Sequence, residues 1–181
     1  MNDSLLSTRY ARALLLYALE RKVAPEVYGE MKTLADSFFQ VPALRQALQN
    51  PVLSSMEKRN LMEEAAGGGV SIPTHRFFEL VVSQRRESLL QRMAWQFIKL
   101  YQQHFHIFHL RLTTAVEATE TICQRIVQLI RRVVPDAQVD LLDEVDPDIL
   151  GGFILQLDHQ VIDASVRSQL NDLQRKLIDS N

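Results

Sequence analysis

The strongest constraint on this chain is a change of hydrophobic rhythm close to residue 106. From the N-terminus to that point, apolar residues recur at three- and four-residue spacing, the period of an amphipathic helix. Leu6, Tyr10, Ala13, Leu14, Tyr17 and Ala18 open the pattern. Leu89, Leu90, Met93, Phe97, Leu100 and Tyr101 close it. Immediately afterwards "HIFHLRLTTA" alternates Ile107, His109 and Arg111 against Phe108, Leu110 and Leu112, the period of a strand. A chain patterned this way predicts two successive architectures, helical over 1–106 and mixed over 107–181.

Punctuation within the first part predicts six helices. Pro25 marks the first turn of the second, which should run to about Gln40. "PALRQALQ", "SSMEKRNLMEEAA" and "PTHRFFELVVSQRRE" follow as shorter segments, and 88–106 forms the last. Short loops between them imply an antiparallel six-helix bundle. In the second part, 118–134 returns to helical spacing through Ile122, Ile126, Leu129 and Val133. "QVDLLDEV", "LGGFILQL" and "QVID" read as strands, the last after a two-residue turn at Asp158 and His159. A final helix from about Ala164 to Ile178 carries Val166, Leu170, Leu173 and Leu177, with Asp163 or Ser165 as its cap. The fold class expected is α+β, a six-helix bundle followed by a small mixed α/β domain.

Charge and composition exclude several functions. With 46% hydrophobic and 23% charged residues, the sequence has the balance of a globular protein. Residues 1–106 carry 13 Lys and Arg against 10 Asp and Glu, and residues 107–181 carry 7 against 12, giving +3 and −5. Neither part has the basic footprint of a nucleic-acid binder. A single cysteine, Cys123, gives neither a disulfide framework nor a thiolate metal site. Arg9, Arg12, Glu20 and Arg21 interrupt the leucines of the first helix, so it predicts neither a signal segment nor a membrane span.

The residues that invite a chemical reading have structural ones beside them. Gly151 and Gly152 precede a strand and lack the spacing of a nucleotide loop, so they predict a bulge or a close backbone approach. Gly67 to Gly69 read as a helix stop. His104, His106 and His109 crowd one junction, yet no single helix or strand presents all three on one side. Asp140, Asp143, Glu144, Asp146 and Asp148 gather around Pro147 and read as a solvated face. No catalytic constellation is expected, and no cofactor, metal or small-molecule substrate.

One excess is left over. Eight of the nine residues from Ala11 to Leu19 are apolar, more than a stripe facing one core requires. "FFELVV", 77–82, shows the same surplus. These residues fit a helix buried on all sides and equally a groove that receives a partner's amphipathic helix.

Across essentially its whole length the chain resembles the delta subunits of bacterial F-type ATP synthases, counterparts of the mitochondrial oligomycin-sensitivity-conferring protein. The resemblance rests on "RYARALLLYALE", on Asn50-Pro51 followed by Lys58, on Phe77 with Arg86, and above all on "DPDILGGFILQLDHQVIDASVRSQLNDL". It departs from the family at Asp158-His159, where Gly-Asp is common. The resemblance implies a non-catalytic stator subunit on the cytoplasmic face of the bacterial inner membrane. Its helical domain would hold the N-terminal helix of an alpha subunit between the first and fifth helices, with Tyr10, Ala13, Leu14, Phe77 and Val81 as walls. Its second domain would meet the C-terminal region of the b subunits, with Leu170, Leu173 and Leu177 as contacts, although the same leucines are expected to cover the small sheet. A helical adaptor unrelated to energy conversion and a metal-dependent enzyme are the alternatives.

Overall fold

The computed structural model describes the backbone of residues 3–157 and 160–179; the side chains of Val133 and of residues 176–179 lie outside the description. The described chain is α+β, with eight α-helices and one four-stranded sheet. It divides into two compact units, Met1–Gln103 and His104–Asn181.

The helices before the first strand are α1 (Asp3–Glu20), α2 (Ala24–Gln40), α3 (Ala43–Gln49), α4 (Ser55–Ala65), α5 (Ile72–Ser83) and α6 (Leu90–His104). Their ends follow from local chemistry. Pro25 and Pro73 occupy first turns, where a missing N–H costs nothing. Ser54 and Glu57 form a reciprocal capping box at the start of α4. Lys22, Arg85 and His106 take left-handed φ values of 59°, 53° and 52°, closing α1, α5 and α6. None is glycine, so these stops had no sequence signal. The fifth helix accordingly ends at Ser83, short of the expected Glu87. A 3-10 turn at Glu87–Leu89 precedes α6, which begins two residues later than expected.

Buried side chains come from all six of these helices. Phe78, Phe97, Met31, Leu34, Leu48, Met62, Leu90 and Met93 are enclosed. Each such burial contributes about 1.5–3 kcal/mol by removing apolar area from water. Tyr28 stacks on Tyr101 with ring centroids 4.2 Å apart, and burial, assisted by Tyr28, raises the Tyr101 phenol above its ordinary value. Polar ties join the helices at their ends. The Glu30 carboxylate accepts from the Ser71 N–H at 2.5 Å, from the Ser71 hydroxyl at 2.9 Å and from Thr74. Lys58 and Glu87, both largely covered, pair at 3.0 Å.

In the second unit, β1 (Ile107–Thr114), α7 (Glu120–Val133), β2 (Gln138–Val145), β3 (Phe153–Leu157), β4 (Gln160–Asp163) and α8 (Val166–Asp179) follow in order. The sheet order is β2-β1-β3-β4. β1 runs parallel to β2 across the α7 crossover and antiparallel to β3, and β3 pairs antiparallel with β4. The expected turn at Asp158 and His159 lies outside the described residues.

Gly151 and Gly152 hold φ values of 149° and 74°. A Cβ on Gly152 would stand 2.2 Å from the carbonyl oxygen of Ala164. Their role is the close backbone approach expected from the sequence, and it lets β3 begin directly against the segment that leads into α8. Ser165 caps that helix by accepting from the Ser168 N–H at 3.2 Å. Asp163 accepts from the Ser168 hydroxyl at 2.5 Å and from the Ser165 N–H at 2.9 Å, so of the two expected residues Ser165 is the cap and Asp163 braces it. Hydrogen bonds from Ser168 and then Ser165 hold the Asp163 carboxyl below its ordinary value.

Candidate partner-binding surface

The surplus apolar sequence of α1 divides between two faces. Leu6, Ala11, Leu14, Leu15 and Ala18 are buried. Leu5, Arg9, Arg12 and Leu16, spaced i, i+4, i+7 and i+11, lie exposed on the opposite side. On α5, Phe77, Phe78, Val81 and Val82 are buried, while Ile72, Arg76, Leu80 and Ser83 form the outer face.

α1 packs against α5, and the Arg76 guanidinium donates to the Tyr17 hydroxyl at 2.9 Å across the seam. Tyr10, Ala13 and Tyr17 follow i, i+3 and i+7, so they share the side of α1 that faces this seam. Leu80, four residues after Arg76, lies on the matching side of α5. The seam therefore has half-buried Tyr10 and Tyr17, exposed Ala13 and exposed Leu80 along its lips. Leu14, Phe77 and Val81 are 3%, 6% and 0% exposed and belong to the core beneath. Of the five residues that the sequence suggested here, Tyr10 and Ala13 reach the surface and three support it. Tyr17 and Leu80 lay within the segments the sequence singled out but were not expected as walls, although Tyr17 stands four residues after Ala13 and Leu80 three after Phe77; Arg76 was not singled out.

The final helix departs from expectation. Leu170 and Leu173 do not cover the sheet; they stand 52% and 56% exposed. The 3-10 turn at Pro147–Ile149 packs against α8, and Ile149 is almost wholly enclosed. Val166, Leu170 and Leu173, spaced i, i+4 and i+7, then form an apolar stripe open to solvent. Leu177 occupies the next position of the stripe, and its side chain lies outside the described residues.

The remaining polar clusters are spoken for locally. His109 pairs with Asp140 at 3.2 Å and Arg111 with Glu144 at 3.1 Å, all exposed on adjacent strands. Asp146 accepts from the Asp148 N–H at 3.0 Å and caps the 3-10 turn. His104 ends α6 and His106 sits in the left-handed linker. Cys123 is half-buried on α7. Among the described residues no three His, Cys, Asp or Glu side chains are grouped to hold a metal, and no helix is long and apolar enough to cross a membrane.

Comparison with known proteins gives the family and the fold. A family model described as the ATP synthase delta (OSCP) subunit matches residues 6–177. The chain is 41% identical to ATP synthase subunit delta of Phocaeicola vulgatus, over 100% of this chain and 98% of that one. It is 35% identical to the Parabacteroides distasonis protein of the same name, over 99% of each, and 31% identical to that of Enterococcus faecalis, over 94% of each. Its fold is similar to a chain in the cryo-EM structure of the Toxoplasma gondii mitochondrial ATP synthase hexamer. There the TM-score is 0.65 and the identity 21%, with 96% of this chain and 97% of that chain covered.

Proposed function

The chain belongs to the ATP synthase delta (OSCP) family, and from that premise we propose that it ties the catalytic head of the synthase to its peripheral stalk by two separate surfaces. As a member of this family it is a non-catalytic accessory subunit of a membrane-associated complex. The helical unit takes the head and the small α/β unit takes the stalk. On the first, the N-terminal helix of an alpha subunit lies along the α1/α5 seam, against Tyr10, Ala13 and Leu80, with Leu14, Phe77 and Val81 keeping the floor rigid. On the second, the C-terminal region of the b subunits covers the α8 stripe of Leu170, Leu173 and Leu177. The protein is peripheral and stands on the cytoplasmic face of a bacterial inner membrane.

The observation that carries this reading is the α1/α5 seam, whose lips present half-buried Tyr10 and Tyr17, exposed Ala13 and exposed Leu80. A helix that served only its own core would turn polar residues outward. The scale of the task suits two ordinary interfaces. One charge crossing about 100 mV releases roughly 2.3 kcal/mol, whereas a nanomolar contact is worth about 12 kcal/mol. Two tethered contacts also raise the effective concentration at which a lost one reforms.

The test is titration of the full chain with a synthetic peptide that reproduces the alpha N-terminus from the same organism. Saturable micromolar binding, lost in an Ala13→Asp variant, is expected. Ala13 suits the test because it is exposed, so the charge blocks the seam without entering the core. Equal binding by the folded variant would overturn the assignment of the seam.

A further inference from the structure

One end of the α1/α5 seam has a feature that an apolar groove does not need. Arg76 donates to the Tyr17 hydroxyl at 2.9 Å, and the guanidinium carbon of Arg21 stands 5.0 Å from the centre of the same ring. Two cations thus converge on one tyrosine, each held in place instead of swinging through solvent. Cation–ring attraction and a hydrogen bond to a neutral hydroxyl orient these groups without cancelling their charge. Among the described residues neither arginine has a carboxylate within 4.0 Å. By contrast, Arg59 meets Glu63 and Glu79 at 3.7 and 3.3 Å.

Arg21 also lines a hollow with Val23, Glu26, Ile72 and Pro73, so the cationic corner is continuous with apolar surface at the start of α5. Glu26 is the acid in that hollow, and it does not reach ion-pair distance. Bringing two like charges together is unfavourable until an anion lies between them. An acidic side chain on a docked helix meets that need while its apolar face lies on Ala13 and Leu80.

We propose that Arg21 and Arg76, both anchored on Tyr17, form a carboxylate-binding end of the seam that fixes the direction in which an acidic-edged amphipathic helix docks. This rests on the reading of the seam as the site for the alpha N-terminus and adds the chemistry and polarity of the occupant. The acidic turn of the partner helix lies at the Tyr17 end of α1, between Arg21 and Arg76. Tyr17 is a positioning residue: it holds the two cations where they face the groove.

The experiment uses the full chain and the alpha N-terminal peptide, with a second peptide whose Asp and Glu are replaced by Asn and Gln. Binding of the unmodified peptide is expected to weaken as salt rises from about 50 to about 500 mM. The doubly substituted Arg21→Gln, Arg76→Gln protein should bind it about tenfold more weakly, the sum of two exposed ion pairs. The neutralised peptide should bind wild type as weakly and lose nothing further on the double variant, the non-additive outcome of a shared contact. Tyr17→Phe should lose part of the same affinity and part of the salt dependence with no change in net charge. Strong, salt-independent binding that is equal on wild type and the double variant would overturn the proposal and leave the seam assignment standing. So would additive losses in the two-by-two comparison. No binding of the unmodified peptide to wild type would overturn both.

Discussion

The two units of this protein differ in how completely each satisfies itself. In the helical unit, every helix contributes enclosed side chains, and polar ties such as Glu30 with Ser71 and Thr74 lock the ends. In the second unit the buried apolar residues, among those described, are Leu110, Leu112, Ala137 and Ile149. Leu142, Val161, Ile162, Leu170 and Leu173 meanwhile face solvent, each more than half exposed. A short sheet with strands of five and four residues offers little area for a helix to close. The lesson is that one unit encloses its own apolar side chains while the other leaves apolar side chains of its sheet and last helix open to solvent. That fits a connector whose two ends do unlike work.

The sharpest way to break the comparison is to damage each core. Phe78 is fully enclosed by the helical unit, so Phe78→Ala should cost about 3–5 kcal/mol, read from urea unfolding. A loss below about 1 kcal/mol would mean that the helical core is looser than its burial implies. Glycines sharpen the contrast. Gly152→Ala meets the Ala164 carbonyl oxygen at 2.2 Å as well as a left-handed φ, and should cost upwards of about 2 kcal/mol. Gly69→Ala, in the helical unit, has φ +57° and open space around it, and should cost only about 1 kcal/mol. Equal effects would show that the approach at Gly152 is less tight than its geometry.

Much of this architecture was legible in the sequence, and the limits have physical causes. The change of period at residue 106, the proline-marked starts of α2 and α5 and the capping residues of α8 could all be read from spacing and side-chain chemistry. The stops at Lys22, Arg85 and His106 could not, because none is the glycine that usually marks a left-handed helix end; at Lys22 and Arg85 local bonds close the helix, the Val23 N–H donating to the Ala18 carbonyl and the Arg86 N–H to the Val81 carbonyl, each at 3.0 Å. The seam was half legible. The family resemblance grouped Leu14, Phe77 and Val81 with Tyr10 and Ala13, but a one-dimensional pattern does not say which of two apolar stripes faces inward. The α8 leucines misled in the same way: they have the spacing of a core stripe, and spacing does not say whether the stripe is covered.

A titration separates the two units more gently. In the second, Asp163 is held below its ordinary value by Ser168 and Ser165; in the first, Glu57 is lowered by its bonds to Ser54. A carboxyl depressed in the folded state adds stability above its unfolded value and loses it as pH falls through the folded one. Acidification should therefore loosen the start of α8 and the start of α4. The start of α8 includes buried Ser165, whereas Ser54 to Glu57 at the start of α4 are exposed, so the amide of Glu57 should lose hydrogen-exchange protection first and that of Ser168 should follow as Asp163 is protonated. Asp163→Asn should remove that acid sensitivity, and protection that still falls at the same pH would place its origin elsewhere.

The smallest effect on stability carries the most about function. Leu170 and Leu173 stand on α8 with more than half of their surface in water, so a Leu170→Ser, Leu173→Ser variant should unfold within about 0.5 kcal/mol of wild type. Ser has a poorer helix propensity than Leu, which accounts for most of even that change. If the stripe is a stalk contact, the same variant should fail to bind a soluble fragment spanning the C-terminal region of the b protein while keeping its affinity for the alpha N-terminal peptide. Stability lost by several kcal/mol would return these leucines to the core and make the two units alike. Unchanged stability with unchanged stalk binding would keep the stripe open and move the contact to another face, with the exposed Val161 and Ile162 of β4 the next to substitute.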